Sequence, residues 1–119
     1  MPAVDLTALS AIALTEFADI VQTTTIISGK LRVVLNDASY IDFWWSQNLP
    51  GRFAYHWERT HVDGKIYRHD NAPHTKWASV STFPQHFHCE TDGQVQESHL
   101  SPHPETAVRE FLTFARTLV

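Results

Sequence analysis

Six of the eight histidines in this 119-residue chain fall within residues 52–88, at positions 56, 61, 69, 74, 86 and 88. Imidazole is the side chain whose ordinary pKa lies nearest neutrality, so it suits proton transfer and metal ligation alike. The same stretch holds five cations (Arg52, Arg59, Lys65, Arg68 and Lys76) against three acids (Glu58, Asp63 and Asp70), a balance of +2. The remaining residues hold four cations against ten acids, within an overall charge of −4. That total argues against a protein that coats nucleic acid. A basic, titratable segment on an acidic framework suits a phosphate-bearing or acidic partner instead.

Spacing sorts these residues onto faces. Phe53 to Thr60 alternates apolar and polar residues like a strand, and Asp63-Gly64 is the strongest hairpin signal in the chain. If those two residues form the whole loop, Glu58 faces His69 and His56 faces Asn71, with Thr60 and Tyr67 on the same face. A carboxylate beside an imidazole fixes its tautomer, so His56, Glu58, His69 and Asn71 form a candidate acid–base group, with Arg68, Asp70 and His74 as neighbours. The opposite face then carries Tyr55, Trp57, Arg59 and Arg68, with the two arginines opposed. Like charges so placed call for an acid or an anion between them. A one-residue slip would exchange the faces. The plainer reading is a hairpin whose polar side chains simply meet solvent.

His86-x-His88 puts two imidazoles on one strand face, a usual way to present two metal ligands, and Asp70 and His74 complete a shell if the intervening loop folds back. An edge strand with two exposed histidines fits the same letters. Cys89 points to the opposite face with no activating neighbour and reads as a buried structural cysteine. Trp44, Trp45, Trp57, Tyr40 and Tyr55 read as core or interface, and an exposed Trp can stack on a base. Trp44 and Trp45 must face opposite sides of their strand, one toward a helix and the other toward a partner subunit. The chain has no Gly-rich phosphate loop.

The elements that must position these side chains follow from periodicity. Asp5 caps a first helix with Leu6, Leu9, Ile12 and Ala13 on one face. Strands are expected over Ile20–Ile27, Leu31–Leu35, Tyr40–Trp45, Phe53–Thr60 and Lys65–Asp70, then around Phe87 and up to about Ser98. Pro73 ends the fifth strand, and a long connection runs on to Pro84. Ser101 to Glu105 opens a last helix with Ala107, Val108, Phe111, Leu112, Ala115 and Leu118 on its apolar face. The fold class is α+β: an antiparallel sheet of about five to seven strands with an N-terminal and a C-terminal helix over one face, in a single domain spanning residues 1–119. No apolar run is long enough to span a bilayer, the N-terminus lacks the basic start of a secretion signal, and the lone Cys89 rules out an internal disulfide. These features point to a cytoplasmic location.

Three blocks carry a resemblance: Ala54-Tyr-His-Trp-Glu-Arg59 with Asp63-Gly64; Tyr67-Arg-His-Asp-Asn-Ala-Pro-His74; and Thr82-Phe-Pro-Gln-His-Phe-His88. Together they resemble the TumE-like proteins, small prokaryotic proteins described as toxins of toxin–antitoxin modules. The likeness runs from about Leu31 to the final helix. It departs at Asp37-Ala38-Ser39, where Asp-Gly-Ser is expected. The resemblance implies a toxin with a cognate antitoxin as partner, but no residue roles.

Small toxins often cleave RNA, and a metal-independent ribonuclease needs a base, an acid and a cation for the phosphorane charge. The histidines supply the first two, while Arg59, Arg68 and Lys76 supply cations. Arg59, Lys76 and Trp57 are the expected nucleic-acid contacts, and His86 and His88 the expected metal ligands. The reading is a type II toxin that cleaves RNA by histidine acid–base chemistry without a cofactor, with a homodimer as a further expectation and no membrane partner. Two alternatives stand beside it: a non-catalytic protein- or nucleic-acid-binding domain, and a phosphoester hydrolase that uses a divalent metal.

Overall fold

The computed structural model describes residues 3–119. Helix α1 (Leu6–Glu16) starts where the Asp5 carboxylate accepts the Ala8 N–H, an ordinary N-cap. Seven strands follow: β1 (Val21–Ile27), β2 (Lys30–Leu35), β3 (Tyr40–Trp45), β4 (Phe53–Arg59), β5 (Lys65–Asp70), β6 (His86–Glu90) and β7 (Val95–Glu97). They pair antiparallel in chain order, so the sheet is a meander with β1 and β7 at its edges. A one-turn helix, α2 (Thr60–Asp63), joins β4 to β5. The last helix, α3 (Pro104–Arg116), has His103 at its N-cap and Pro104 in its first turn, two residues later than a start at Ser101.

Alternation in each strand sends one set of side chains under the helices. Leu31, Val33 and Leu35 from β2, Ile41 and Phe43 from β3, and Phe53, Tyr55 and Trp57 from β4 are all buried there. Phe111 of α3 meets Phe43 and Trp57 edge-on, and Phe114 meets Trp57 and Tyr67 the same way. Burial of so many aromatic rings, at roughly 25 cal/mol per Å² of apolar area, is the main force holding α3 to the sheet. Ion pairs Arg109–Glu16 and Arg116–Asp19 tie α3 to α1 and to the turn after it. Leu118, expected on the apolar face, is instead exposed beyond the helix end. Trp45 packs against Tyr55 on the covered side, and Trp44 stands exposed on the other.

The β4–β5 connection decides what the sheet presents. It is longer than a two-residue turn: Thr60–Asp63 makes one helical turn, closed by Gly64 at φ +78°, a conformation that favours glycine. Arg59 therefore pairs with Lys65, and His56 with Arg68. Relative to a two-residue loop, the register moves by three residues. An odd shift exchanges the faces of β5. The expected grouping of His56 and Glu58 with His69 and Asn71 is thereby overturned. Tyr67 and His69 lie under α3, while Arg68 and Asp70 join His56 on the face that the helices leave open. Arg59 and Arg68 are not opposed at all.

The turn Asn36–Ser39 forms as expected, and Ala38 adopts φ +71° in it. This is the position where the family resemblance calls for glycine. Among the described residues, no helix is long and apolar enough to cross a membrane.

Candidate functional site

The open face is organised by cross-strand pairing. One row runs Arg32, Asp42, His56, Arg68, His88, and the next runs Ala54, Asp70, His86, each residue directly opposite the one before it. On β6 the alternation His86-Phe87-His88 sends Phe87 into the core and both imidazoles to this face. Because Asp70 ends β5 opposite His86, its carboxylate lies among both rings.

Asp70 is only 5% exposed and His86 is fully shut off from solvent. The carboxylate Oδ1 accepts the Ala72 N–H at 3.1 Å and lies 3.2 Å from His86 Nε2. Oδ2 accepts Arg68 Nε–H at 3.1 Å and lies 3.6 Å from His88 Nε2. Burial would raise the Asp70 carboxyl, but His88, His86, the Ala72 N–H and Arg68 together hold it below the usual carboxylate value. In turn, the hydrogen bond to Asp70 raises His88 above the ordinary imidazole value, against the opposing effect of its own burial.

Each ring's other nitrogen is anchored on the backbone. His86 Nδ1 donates to the Pro84 carbonyl at 2.8 Å, and His88 Nδ1 donates to the Asp92 carbonyl at 2.9 Å. A carbonyl oxygen can only accept, so both Nδ1 atoms carry hydrogen and both Nε2 atoms turn toward Asp70. Among the described residues, His86 Nε2 finds no hydrogen-bond partner despite its short approach to Oδ1.

The connection over residues 71–85 folds back over this cluster. Its 3₁₀ turn (Thr75–Trp77) places the Trp77 ring edge-on to His88 at 5.8 Å and tilted to His86 at 6.3 Å. Gln85 Nε2 donates to the Ser98 and Leu100 carbonyls and to Ser98 Oγ, which sews the base of the loop to the chain beyond β7. Lys76 is exposed, its ammonium over the Trp77 ring. His74 is exposed just before the 3₁₀ turn and is not within ligand distance of the Asp70 cluster.

His56 is partly exposed beside Arg68; its Nε2 lies 3.2 Å from Glu58, and its buried Nδ1 has no partner among the described residues. Glu58 is held by the Thr60 N–H at 2.8 Å and by the Thr60 hydroxyl. His69 stacks on Phe87 and meets Phe111 edge-on, with Nδ1 hydrogen-bonded to Ser98 Oγ at 2.7 Å; burial pushes its pKa down to about 3. It is a neutral core histidine. Asn71 accepts the Phe53 N–H and donates to the Gly51 carbonyl, completing the edge of β4 rather than facing the site.

Trp57 is 0% exposed and donates from Nε1 to Ser39 Oγ, so no base can stack on it. Arg59 is buried over the Trp57 ring, bonded to Asp37 at 2.7 Å and Asp63 at 2.9 Å, and so is not offered to a nucleic acid. Trp77 is what sequence reading passed over. Its one legible signal was an aromatic residue inside a long loop between two histidine-bearing strands. Away from this cluster, an apolar hollow of about 440 Å³, lined in part by Leu6, Trp45, Phe53 and Pro104, holds no titratable side chain.

A meander covered by helices on one face, with a buried carboxylate–imidazole cluster on the other, defines a small two-layer α+β protein built around one polar site. The chain belongs to the TumE toxin family: the family model described as Toxin TumE matches residues 8–119, nearly the whole length. No curated protein and no solved structure matches it.

Proposed function

We propose that this member of a toxin family cleaves RNA on the open face of its sheet, at the cluster of His56, Arg68, Asp70, His86 and His88. The observation that carries this reading is Asp70: a nearly buried carboxylate gripped by two buried imidazoles and an arginine. Desolvating so many titratable groups costs stability, and perturbed, desolvated groups in a cluster are a recurring feature of functional sites. Arg68 bonds Asp70 through Nε and its side chain is 40% exposed, which leaves its Nη groups available to hold a phosphate. His56, oriented by Glu58, is the partly exposed imidazole beside that arginine and serves as the general acid or base. Lys76 on the loop supplies a second, exposed cation.

The protein acts as one domain in the cytoplasm, where its RNA substrate and a protein antitoxin would meet it. The test is incubation of the purified chain with total RNA, beside inducible expression in a bacterial host. Arg68→Ala and His56→Ala should each slow cleavage by about 100-fold or more, the usual effect of losing a positioned acid–base or oxyanion-stabilising group. RNA left intact by excess folded protein overturns the reading.

A second reading, a binding protein without turnover, is favoured by edge strand β1. Its sequence, Val-Gln-Thr-Thr-Thr-Ile-Ile, is free of charge and proline, and Ile26 and Ile27 are exposed on it. Such an edge invites another strand, from an antitoxin or a second copy of this chain. A stoichiometric complex with no RNA loss identifies that reading.

A further inference from the structure

We infer that Asp70, His86 and His88 form a binding site for one divalent transition metal ion of the zinc type. Both Nδ1–H groups are committed to backbone carbonyls, so each ring turns its Nε2 toward the Asp70 carboxylate. Potential ligand atoms of three buried side chains then converge, one from each within 4.8 Å of the others. A buried carboxylate among buried imidazoles calls for positive charge that serves all three together.

A proton on His88 Nε2 serves Asp70 alone, and the 3.2 Å approach of His86 Nε2 to Oδ1 lacks hydrogen-bond geometry, so His86 Nε2 stays unpartnered among the described residues. A metal ion sits between its ligands rather than along one N–H bond and serves all three at once. Zinc bonds of about 2.0–2.1 Å at tetrahedral angles put neighbouring donor atoms about 3.3–3.5 Å apart. The separations from the two rings to the carboxylate, 3.2 Å to Oδ1 and 3.6 Å to Oδ2, lie close to that spacing, each to a different oxygen.

The surroundings agree. Ligating histidines characteristically donate the other ring N–H to a carbonyl or carboxylate, as both do here, and ligating carboxylates accept further hydrogen bonds, as Asp70 does from Ala72 and Arg68. Two imidazole nitrogens and one carboxylate suit zinc, cobalt, manganese or ferrous iron rather than calcium or magnesium, which prefer oxygen. Three protein ligands also leave one tetrahedral position open. The inference does not depend on RNA cleavage: metal bound by a chain that leaves RNA intact sinks the nuclease reading and keeps the site.

The experiment uses the full chain, stripped with chelator and dialysed, then titrated with Zn²⁺ by calorimetry and with Co²⁺ by absorption spectroscopy. One ion per chain is expected, with cobalt bands of four- or five-coordinate nitrogen–oxygen ligation and no cobalt–thiolate band, since Cys89 points to the covered face. His88→Gln and the near-isosteric Asp70→Asn should each weaken Zn²⁺ binding at least 100-fold, with folding checked by circular dichroism. No binding to the folded wild-type chain overturns the site. So does binding whose affinity and cobalt spectrum are unchanged in whichever variant folds, or a spectrum showing thiolate.

Discussion

Replacing Arg59 by methionine should destabilise the fold of this protein and leave ligand binding by the folded chain untouched. The side chain is buried, its guanidinium bonded to Asp37 at 2.7 Å and Asp63 at 2.9 Å, and it lies over Trp57. Methionine keeps the apolar stem and removes both charge-assisted bonds. Such bonds contribute about 1.5–3 kcal/mol each. Because the two carboxylates are partly exposed and can rehydrate, the low end applies, a loss of about 3 kcal/mol. For a chain of this size that is roughly a 10–15 °C fall in Tm. The assay is urea unfolding followed by tryptophan fluorescence, repeated from pH 7 down to pH 3.

The acid limb supplies a second readout. Burial alone would raise the Asp37 carboxyl, but bonds from Ser39 and Arg59 overcome it and leave it below the usual value. Asp63 is lowered likewise, burial being outweighed by Arg59 and the Lys65 N–H. Each folded carboxyl thus titrates below its unfolded counterpart. Their stabilisation is present above about pH 4 and is lost as pH falls through the folded values. Arg59→Met should flatten that loss. Unchanged stability together with weaker RNA binding would refute the reasoning and return Arg59 to the ligand-facing side of the sheet.

Ala38 at φ +71° is strained for any side chain, so Ala38→Gly should stabilise the fold by about 1 kcal/mol, read as a higher urea midpoint at constant m-value. His69 keeps a folded pKa near 3, below its unfolded value, so the unfolded chain takes up that proton first. Its contribution is therefore complete above about pH 6.5 and falls by about 2 kcal/mol on going to pH 5, a slope that His69→Gln should remove. A His69 ring that titrates near pH 6.5 by NMR would contradict its placement under α3. Trp57→Ala should cost about 3–5 kcal/mol and read as a folding defect, not as a lost stacking contact. Lys76→Ala should leave Tm unchanged and lower the slope of log affinity against log salt by about 0.7 for single-stranded RNA; an unaltered slope would remove the loop from the interface.

Periodicity and turn chemistry were enough to place the helices, the strands and their α+β class, because an alternating strand or a 3.6-residue stripe is a local pattern. The same locality put His86 and His88 on one face and Cys89 on the other. What the letters did not contain was the length of the β4–β5 connection as folded. Asp63-Gly64 satisfies a two-residue turn, yet Thr60–Asp63 can also coil once because Arg59 ties Asp63 and Asp37 together at its base. That choice moves the β5 register by an odd number of residues.

One consequence is that His69 leaves the candidate site and Arg68 and Asp70 enter it. Another is that Trp57 and Arg59, attractive as nucleic-acid contacts by residue type, become core. Whether the loop after Asp70 folds back was equally beyond local pattern, since Trp77 meets His86 and His88 only through contacts distant in sequence. The chain by itself determined which residue types are available and on which side of its own strand each lies. Only the tertiary structure decided which strand faces which, because register and burial come from long-range packing energies that no short window contains.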